Sequence, residues 1–158
     1  MQLSDAGRAM LVGLEGDRGA MYHDPVGLPT IGVGHRLTVS ELHSGKIHVG
    51  PVLLPWHAGL SPLAVEALLA HDTTGVAAGL TDLLTVVLTQ PQFDALLSWA
   101  FNVGLEAVRH STLRKLLNQG RYEAVPGELH RWVYAKGQRL PVLEARRETE
   151  IARWQAVA

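Results

Sequence analysis

Turn-forming residues crowd into one part of this chain, and that crowding limits what it can fold into. Gly19, Pro25, Gly27, Pro29, Gly32 and Gly34 cut the stretch that follows Glu15 into segments too short for helices. Among them is Thr30-Ile31-Gly32-Val33, which reads as a strand. A small antiparallel sheet with tight turns is the expected result. Gly45, Gly50, Pro51 and Pro55 prolong the irregular region to about Gly59, and its part from 46 to 59 is locally apolar.

Helical patterns flank this region. Ser4-Asp5 starts a first helix with apolar residues at Met10, Leu11 and Leu14, and Gly16 stops it after Glu15. Ser61-Pro62 is a cap followed by a first-turn proline, so a helix is expected from Pro62 to about Ala78, with Leu63, Ala67, Leu68 and Ala70 or its neighbours inward. A helix from Gln90-Pro91 to Val103 carries Phe93, Leu96, Leu97, Ala100 and Phe101 at helical spacing and is expected to be the most buried. Further helices fit 111–120, 122–134 (with a break at Pro126-Gly127) and 141–154. The fold class is therefore α+β, mainly α, in a single domain over 1–158. A sheet lobe covers about 16–60, and a helical lobe covers about 61–158 together with the N-terminal helix.

Composition removes several function classes. The chain has no cysteine, which excludes disulfides and thiolate metal sites. None of its eight histidines forms a His-Glu-x-x-His or similar pair, so neither a metal nor a cofactor is expected. The net charge of −1 gives no reason to expect nucleic-acid binding. Charge is uneven, however: Met1 to Val108 holds four basic and ten acidic residues, and Arg109 to Ala158 ten basic and five acidic. That asymmetry suits either an anionic partner or ordinary solvated helix faces. No segment reads as a signal peptide or a membrane span, so synthesis in the cytoplasm and a soluble, monomeric protein without membrane insertion are expected.

Glu15 and Asp24 are the residues that suggest chemistry. A carboxyl group at the end of an amphipathic helix, beside apolar residues, can be shielded from water and serve as a general acid. Asp24 lies on the turn-rich segment that follows, and the intervening loop can hold the two carboxyl groups across a cleft. Glycosidic bond cleavage needs that arrangement, one carboxyl on each side of the bond. Thr30 starts a strand, and its hydroxyl can hold a water. On spacing alone, a helix-end glutamate and a turn-forming Asp-Pro explain the same residues.

The longer string changes the weighing. Glu15, then eight residues, Asp24, then five residues, and Thr30, with Tyr22, Gly27 and Thr30-Ile31-Gly32-Val33-Gly34-His35 around them, resembles the phage-type lysozymes of glycoside hydrolase family 24. The resemblance continues, in order, through Gln92-Phe93-Asp94-Ala95-Leu96, Phe101-Asn102-Val103-Gly104, Ser111-Thr112-Leu113, the run from Arg131 to Gly137, Leu140-Pro141 and the run from Arg146 to Glu150. It implies a lysozyme-like fold and hydrolysis of the β-1,4 bond between N-acetylmuramic acid and N-acetylglucosamine in bacterial peptidoglycan. Glu15 would donate the proton, Asp24 would support the attacking water or the developing charge, and Thr30 would position that water.

Asn102 is a candidate sugar contact or, equally, a helix-end cap. His35 is expected to be a structural hydrogen-bonding residue, and Trp99 and Trp132 are expected in the core. Arg146 and Arg147 could support Glu15, with a solvated role open for at least one. An endolysin of this kind would need a holin, a virion or another carrier to reach the wall. Two other readings are a non-catalytic peptidoglycan-binding module, which would have lost an acid, and a lytic transglycosylase, which needs no water-positioning pair.

Overall fold

A computed structural model of the chain describes residues 1–157. The elements follow as α1 (Asp5–Glu15), β1 (Arg18–His23), β2 (Pro29–Gly32), β3 (His35–Arg36), α2 (Val39–Ser44), β4 (Lys46–Val49) and β5 (Val52–Pro55). Then come α3 (Pro62–Leu83), α4 (Gln90–Val103), α5 (Leu105–His110), α6 (Thr112–Leu117), a 3₁₀ turn (Tyr122–Ala124) and α7 (Val125–Leu129). β6 (Tyr134–Ala135), β7 (Gln138–Arg139) and α8 (Pro141–Gln155) end the chain. The α+β, mainly helical class expected from the sequence is the one observed. Two compact units are distinguishable, one of residues 11–73 and the other of residues 1–10 with 74–158.

In the unit of residues 11–73, β1, β2 and β3 form an antiparallel sheet in that order, and β4 and β5 pair as a separate hairpin. Ile31, Val33, Leu37, Ile47, Val49 and Trp56 are buried beside Leu11, Val65, Leu68 and Leu69. β4 alternates, with Ile47 and Val49 inward and Lys46 and His48 outward, the pattern of a strand with one wet face. Residues 46–55 of that stretch are therefore a hairpin rather than an irregular segment. Trp56 beyond it is buried, and its indole nitrogen donates to the Glu41 carbonyl at 2.9 Å. Gly19 allows β1 to meet the chain before α3: the Leu60 N–H donates to the Gly19 carbonyl at 2.8 Å, and a Cβ on Gly19 would lie 2.5 Å from the Leu60 carbonyl oxygen.

Along α3 the inward face differs from the expected one. Leu63 is 79% exposed and Ala67 is exposed, whereas Val65, Leu68, Leu69, Thr73, Ala77, Leu80 and Leu83 are buried. The helix also passes Gly79 and ends at Leu83, because the bare Cα of Gly79 receives the Leu105 side chain of α5, where a Cβ would collide.

In the unit of residues 1–10 and 74–158, α4 is buried on every side over residues 93–100. A capping box at Thr89 and Gln92 starts it. Asp94 is fully buried on this helix and fully partnered: Ser4 donates to it from both N–H and hydroxyl, Gln90 donates at 2.8 Å, and Arg153 of α8 pairs with it at 2.5 Å. Burial would push the Asp94 carboxyl up, but the Ser4, Arg153 and Gln90 donors outweigh it and hold the group below the usual carboxylate range. Trp99 is buried against the edge of Trp132, with ring centroids 5.3 Å apart. Pro126 sits in the first turn of α7, right after Val125, instead of breaking a longer helix, which suits a residue that needs no N–H partner there. Lys136 and Gly137, both at positive φ, turn β6 into β7 as a two-residue hairpin loop.

Leu96 has no exposed surface in the middle of α4. Leu96→Ala should cost about 2–5 kcal/mol, as buried Leu→Ala changes do. In urea the unfolding midpoint should fall while the slope stays constant.

A second prediction concerns His35, whose Nδ1 lies 2.7 Å from Asp72 of α3 and whose Nε2 lies 3.3 Å from Glu41. Desolvation would lower the His35 pKa, but the two carboxylates together raise it above 6.5. A raised histidine pKa contributes stability that is complete below the unfolded value and is lost as pH rises through the folded one. Desolvation opposes the lowering of Glu41, yet the Thr38 donors and His35 bring it below the ordinary value, so its contribution fades only as pH falls through that lowered value. Asp72→Asn should therefore cost about 1.5–3 kcal/mol at mildly acidic pH. Thermal melts of the two proteins should converge at alkaline pH, where the ring is neutral in both.

Candidate active site

Glu15, Asp24 and Thr30 all fall in the unit of residues 11–73. Glu15 is the last residue of α1, half-buried, and α1 closes with a bond from the Gly16 N–H to the Val12 carbonyl at 2.9 Å. Its carboxyl group lies against the turn between β2 and β3. A Cβ on Gly34 would stand 2.7 Å from the Glu15 carboxyl carbon and Oε2. Gly34 has φ of +69°, a conformation that strains any other L-residue, so both space and backbone require glycine there.

Asp24 closes the loop from β1 to β2. Its Oδ1 accepts from the N–H groups of Val26 (3.0 Å) and Leu28 (2.9 Å), and the Gly27 N–H donates to its carbonyl at 2.8 Å. It is thus a turn-former, as the Asp-Pro pair suggested. Turn formation uses only Oδ1, however. Oδ2 points away from the turn and meets the Nε of Arg36 at 3.2 Å. The Asp24 side chain is 10% exposed and that of Arg36 50%.

Thr30 is 2% exposed on the central strand, and its hydroxyl donates to the Leu28 carbonyl at 2.9 Å. Register places Tyr22 of β1 opposite Thr30, and Thr30 opposite Arg36 of β3. Directly paired residues of antiparallel strands project from the same face, so the three form a row across the sheet with Thr30 in the middle. Tyr22 carries the guanidinium of Arg18 4.7 Å above its ring centroid. Desolvation pushes the Tyr22 phenol up, and the charges of Glu15 and Asp24 push it the same way, against Arg18 and the Gly34 backbone hydrogen bond. The phenol therefore feels both carboxylates.

Tyr22 stood in the sequence pattern, but Arg36 was not singled out there, because nothing local distinguishes it from any polar strand residue. The strand register is what brings it to Asp24. His35 is a structural residue bonded to Asp72, in line with expectation.

Asn102 and the two arginines lie in the other unit. Asn102 is in the last turn of α4, where its Oδ1 accepts from Arg147 at 2.9 Å, while Gly104 forms the helix end. Arg146 and Arg147 are both buried, so neither faces solvent, and both engage the fully buried Glu150. Burial pushes the Glu150 carboxyl up, and Arg147, Arg146 and the Ser98 hydroxyl pull the other way.

Known proteins resemble this chain over nearly its whole length. The phage lysozyme family profile matches residues 12–150. The endolysin of Acyrthosiphon pisum secondary endosymbiont phage 1 is 34% identical over 99% of both chains. The endolysin of Salmonella phage P22 is 35% identical over 96% of this chain and 97% of its own. The solved muramidase domain of SpmX from Asticaccaulis excentricus superposes with a TM-score of 0.79 at 28% identity, covering 99% of each chain. A helix-end glutamate seated on a glycine turn, an aspartate held by its own loop and a buried threonine on the central strand thus stand in a chain that belongs to the phage lysozyme family, a peptidoglycan hydrolase of the endolysin type.

Proposed function

We propose that Glu15, Asp24 and Thr30 are the catalytic residues and that they hydrolyse the β-1,4 bond between N-acetylmuramic acid and N-acetylglucosamine with inversion. The observation that carries this reading is the hydrogen-bond state of Thr30. Its own proton is committed to the Leu28 carbonyl, so towards a water it can only accept. Asp24 Oδ2 is likewise an acceptor. A water between them gives one proton to each, and a lone pair is left to point outward at the anomeric carbon. Glu15 supplies the proton to the departing oxygen.

An oriented water is useful to a hydrolase and has no role in a lytic transglycosylase. A binding module has no use for it either. Mass spectrometry of digested peptidoglycan should give reducing muramic ends. Anhydro ends would indicate transglycosylation, and no products a binding module.

The whole chain acts as one catalytic domain in this reading, and Asn102 is a sugar contact that uses the amide nitrogen left by its bond to Arg147. Endolysins act on the cell wall. No helix among the described residues is long and apolar enough to cross a membrane. We take the protein to be made in the host cytoplasm as a monomer and to reach the wall with the help of a holin or a virion carrier.

Glu15→Gln should abolish wall clearing while thermal stability stays near that of the parent, because an amide cannot donate the proton. Clearing at the parental rate by the folded variant would remove Glu15 from the mechanism.

Stereochemistry tests the water. Inverting enzymes hold their carboxyl groups about 6.5–9.5 Å apart so that a water fits, against about 5–5.5 Å in retaining ones. Proton NMR of the first-formed product should show the α-anomer. An initial β-anomer would mean retention, and Thr30 would lose its role.

A further inference from the structure

We propose that Arg36 is a positioning residue for the reaction, fixing the plane of the Asp24 carboxylate so that Oδ2 faces the water held by Thr30. The proposal rests on the assignment of Asp24 and Thr30 made above.

Three observations carry it. The first is the division of labour on Asp24. Both loop amides bind Oδ1, at 3.0 and 2.9 Å, and neither touches Oδ2. Arg36 Nε at 3.2 Å from Oδ2 supplies the missing third point. It uses one of the two lone-pair directions of Oδ2 and leaves the other for a water.

The second is the cross-strand row. Because Arg36 is paired with Thr30, the guanidinium reaches Asp24 from beside the threonine. A slip of one residue in β3 would send Arg36 to the opposite face, so the same register that places Thr30 also places its neighbour.

The third is exposure. Asp24 is nearly covered whereas Arg36 is half open, so the arginine can be removed without leaving a hole in the core. For the same reason its value to stability is small, since a half-exposed ion pair is screened by water. Its value is geometric: small misplacements of a reacting group cost large factors in rate.

The test uses the full chain on soluble peptidoglycan fragments of defined length, with kcat and KM measured for the parent, Arg36→Ala, Arg36→Lys and Asp24→Asn. Arg36→Ala should lower kcat by about ten- to hundred-fold. Its KM should stay within about twofold, because no uniform binding is lost. Arg36→Lys should recover part of the rate, and so should millimolar guanidinium added to Arg36→Ala. A merely structural arginine would not respond to added guanidinium.

Several results would overturn the proposal. A raised KM with kcat intact would make Arg36 a substrate contact. A kcat loss that neither lysine nor guanidinium restores would make it structural. Parental kinetics in Arg36→Ala beside an inactive Asp24→Asn would remove the positioning role and leave Asp24 catalytic. Parental activity in Asp24→Asn would instead remove the catalytic reading itself.

Discussion

The turn between β2 and β3 is the constraint on which the site depends. At Gly34 the backbone takes a left-handed conformation that reverses the chain within two residues, and the bare Cα leaves room for the Glu15 carboxyl. Burial and the carboxylates push the Tyr22 phenol up, and the Gly34 backbone pulls it the other way. One residue on, His35 ties the turn to Asp72 of α3, and one further, Arg36 comes back beside Thr30. A side chain at residue 34 would strain the turn and collide with the Glu15 carboxyl. The end of α1 and the strands β2 and β3 thus meet at a position that contributes a left-handed turn and the lack of a side chain.

Economy of hydrogen bonds is the second theme. Asp24 serves as turn-former with one oxygen and as candidate catalytic group with the other. Thr30 satisfies its buried hydroxyl through a neighbouring carbonyl, and in doing so becomes a pure acceptor. Both residues pay their structural dues locally, within the loop they close, so their remaining atoms can be directed at a ligand. In the other unit, buried charge is used differently. Asp94 of α4 pairs with Arg153 of α8 across two helices, whereas Glu150 pairs with Arg146 and Arg147 within α8 and reaches α4 through Ser98. Removing one partner from such a pair leaves a buried charge uncompensated.

Sequence reasoning succeeded where the signal was local. The start of α4 at Thr89-Gln90-Pro91, the N-cap at Ser111 and the end of α1 before Gly16 each rest on capping or turn chemistry that neighbouring residues specify. It failed on α3, where Leu63, Ala64, Ala67, Ala70, Val76 and Ala78 make most sides of the helix apolar. Such a pattern does not choose an inward face, and Gly79, whose bare Cα makes room for Leu105, lies inside the helix. The β4–β5 hairpin was missed because glycines and prolines masked the alternation of Ile47 and Val49. α2 and α5, each only six residues, are too short to show a period.

The sequence by itself determined the order of elements, the small sheet within a helical chain and the three residues of the Glu15-Asp24-Thr30 spacing, since these depend on residue type and on short-range geometry. Only the tertiary structure decided which oxygen of Asp24 the turn leaves over, that the Thr30 hydroxyl donates to Leu28, and that Arg36 reaches Asp24. Those contacts follow from strand register and from the competition of several donors for one carboxylate. Residues 12 apart along the chain, such as Asp24 and Arg36, become neighbours only when the sheet forms.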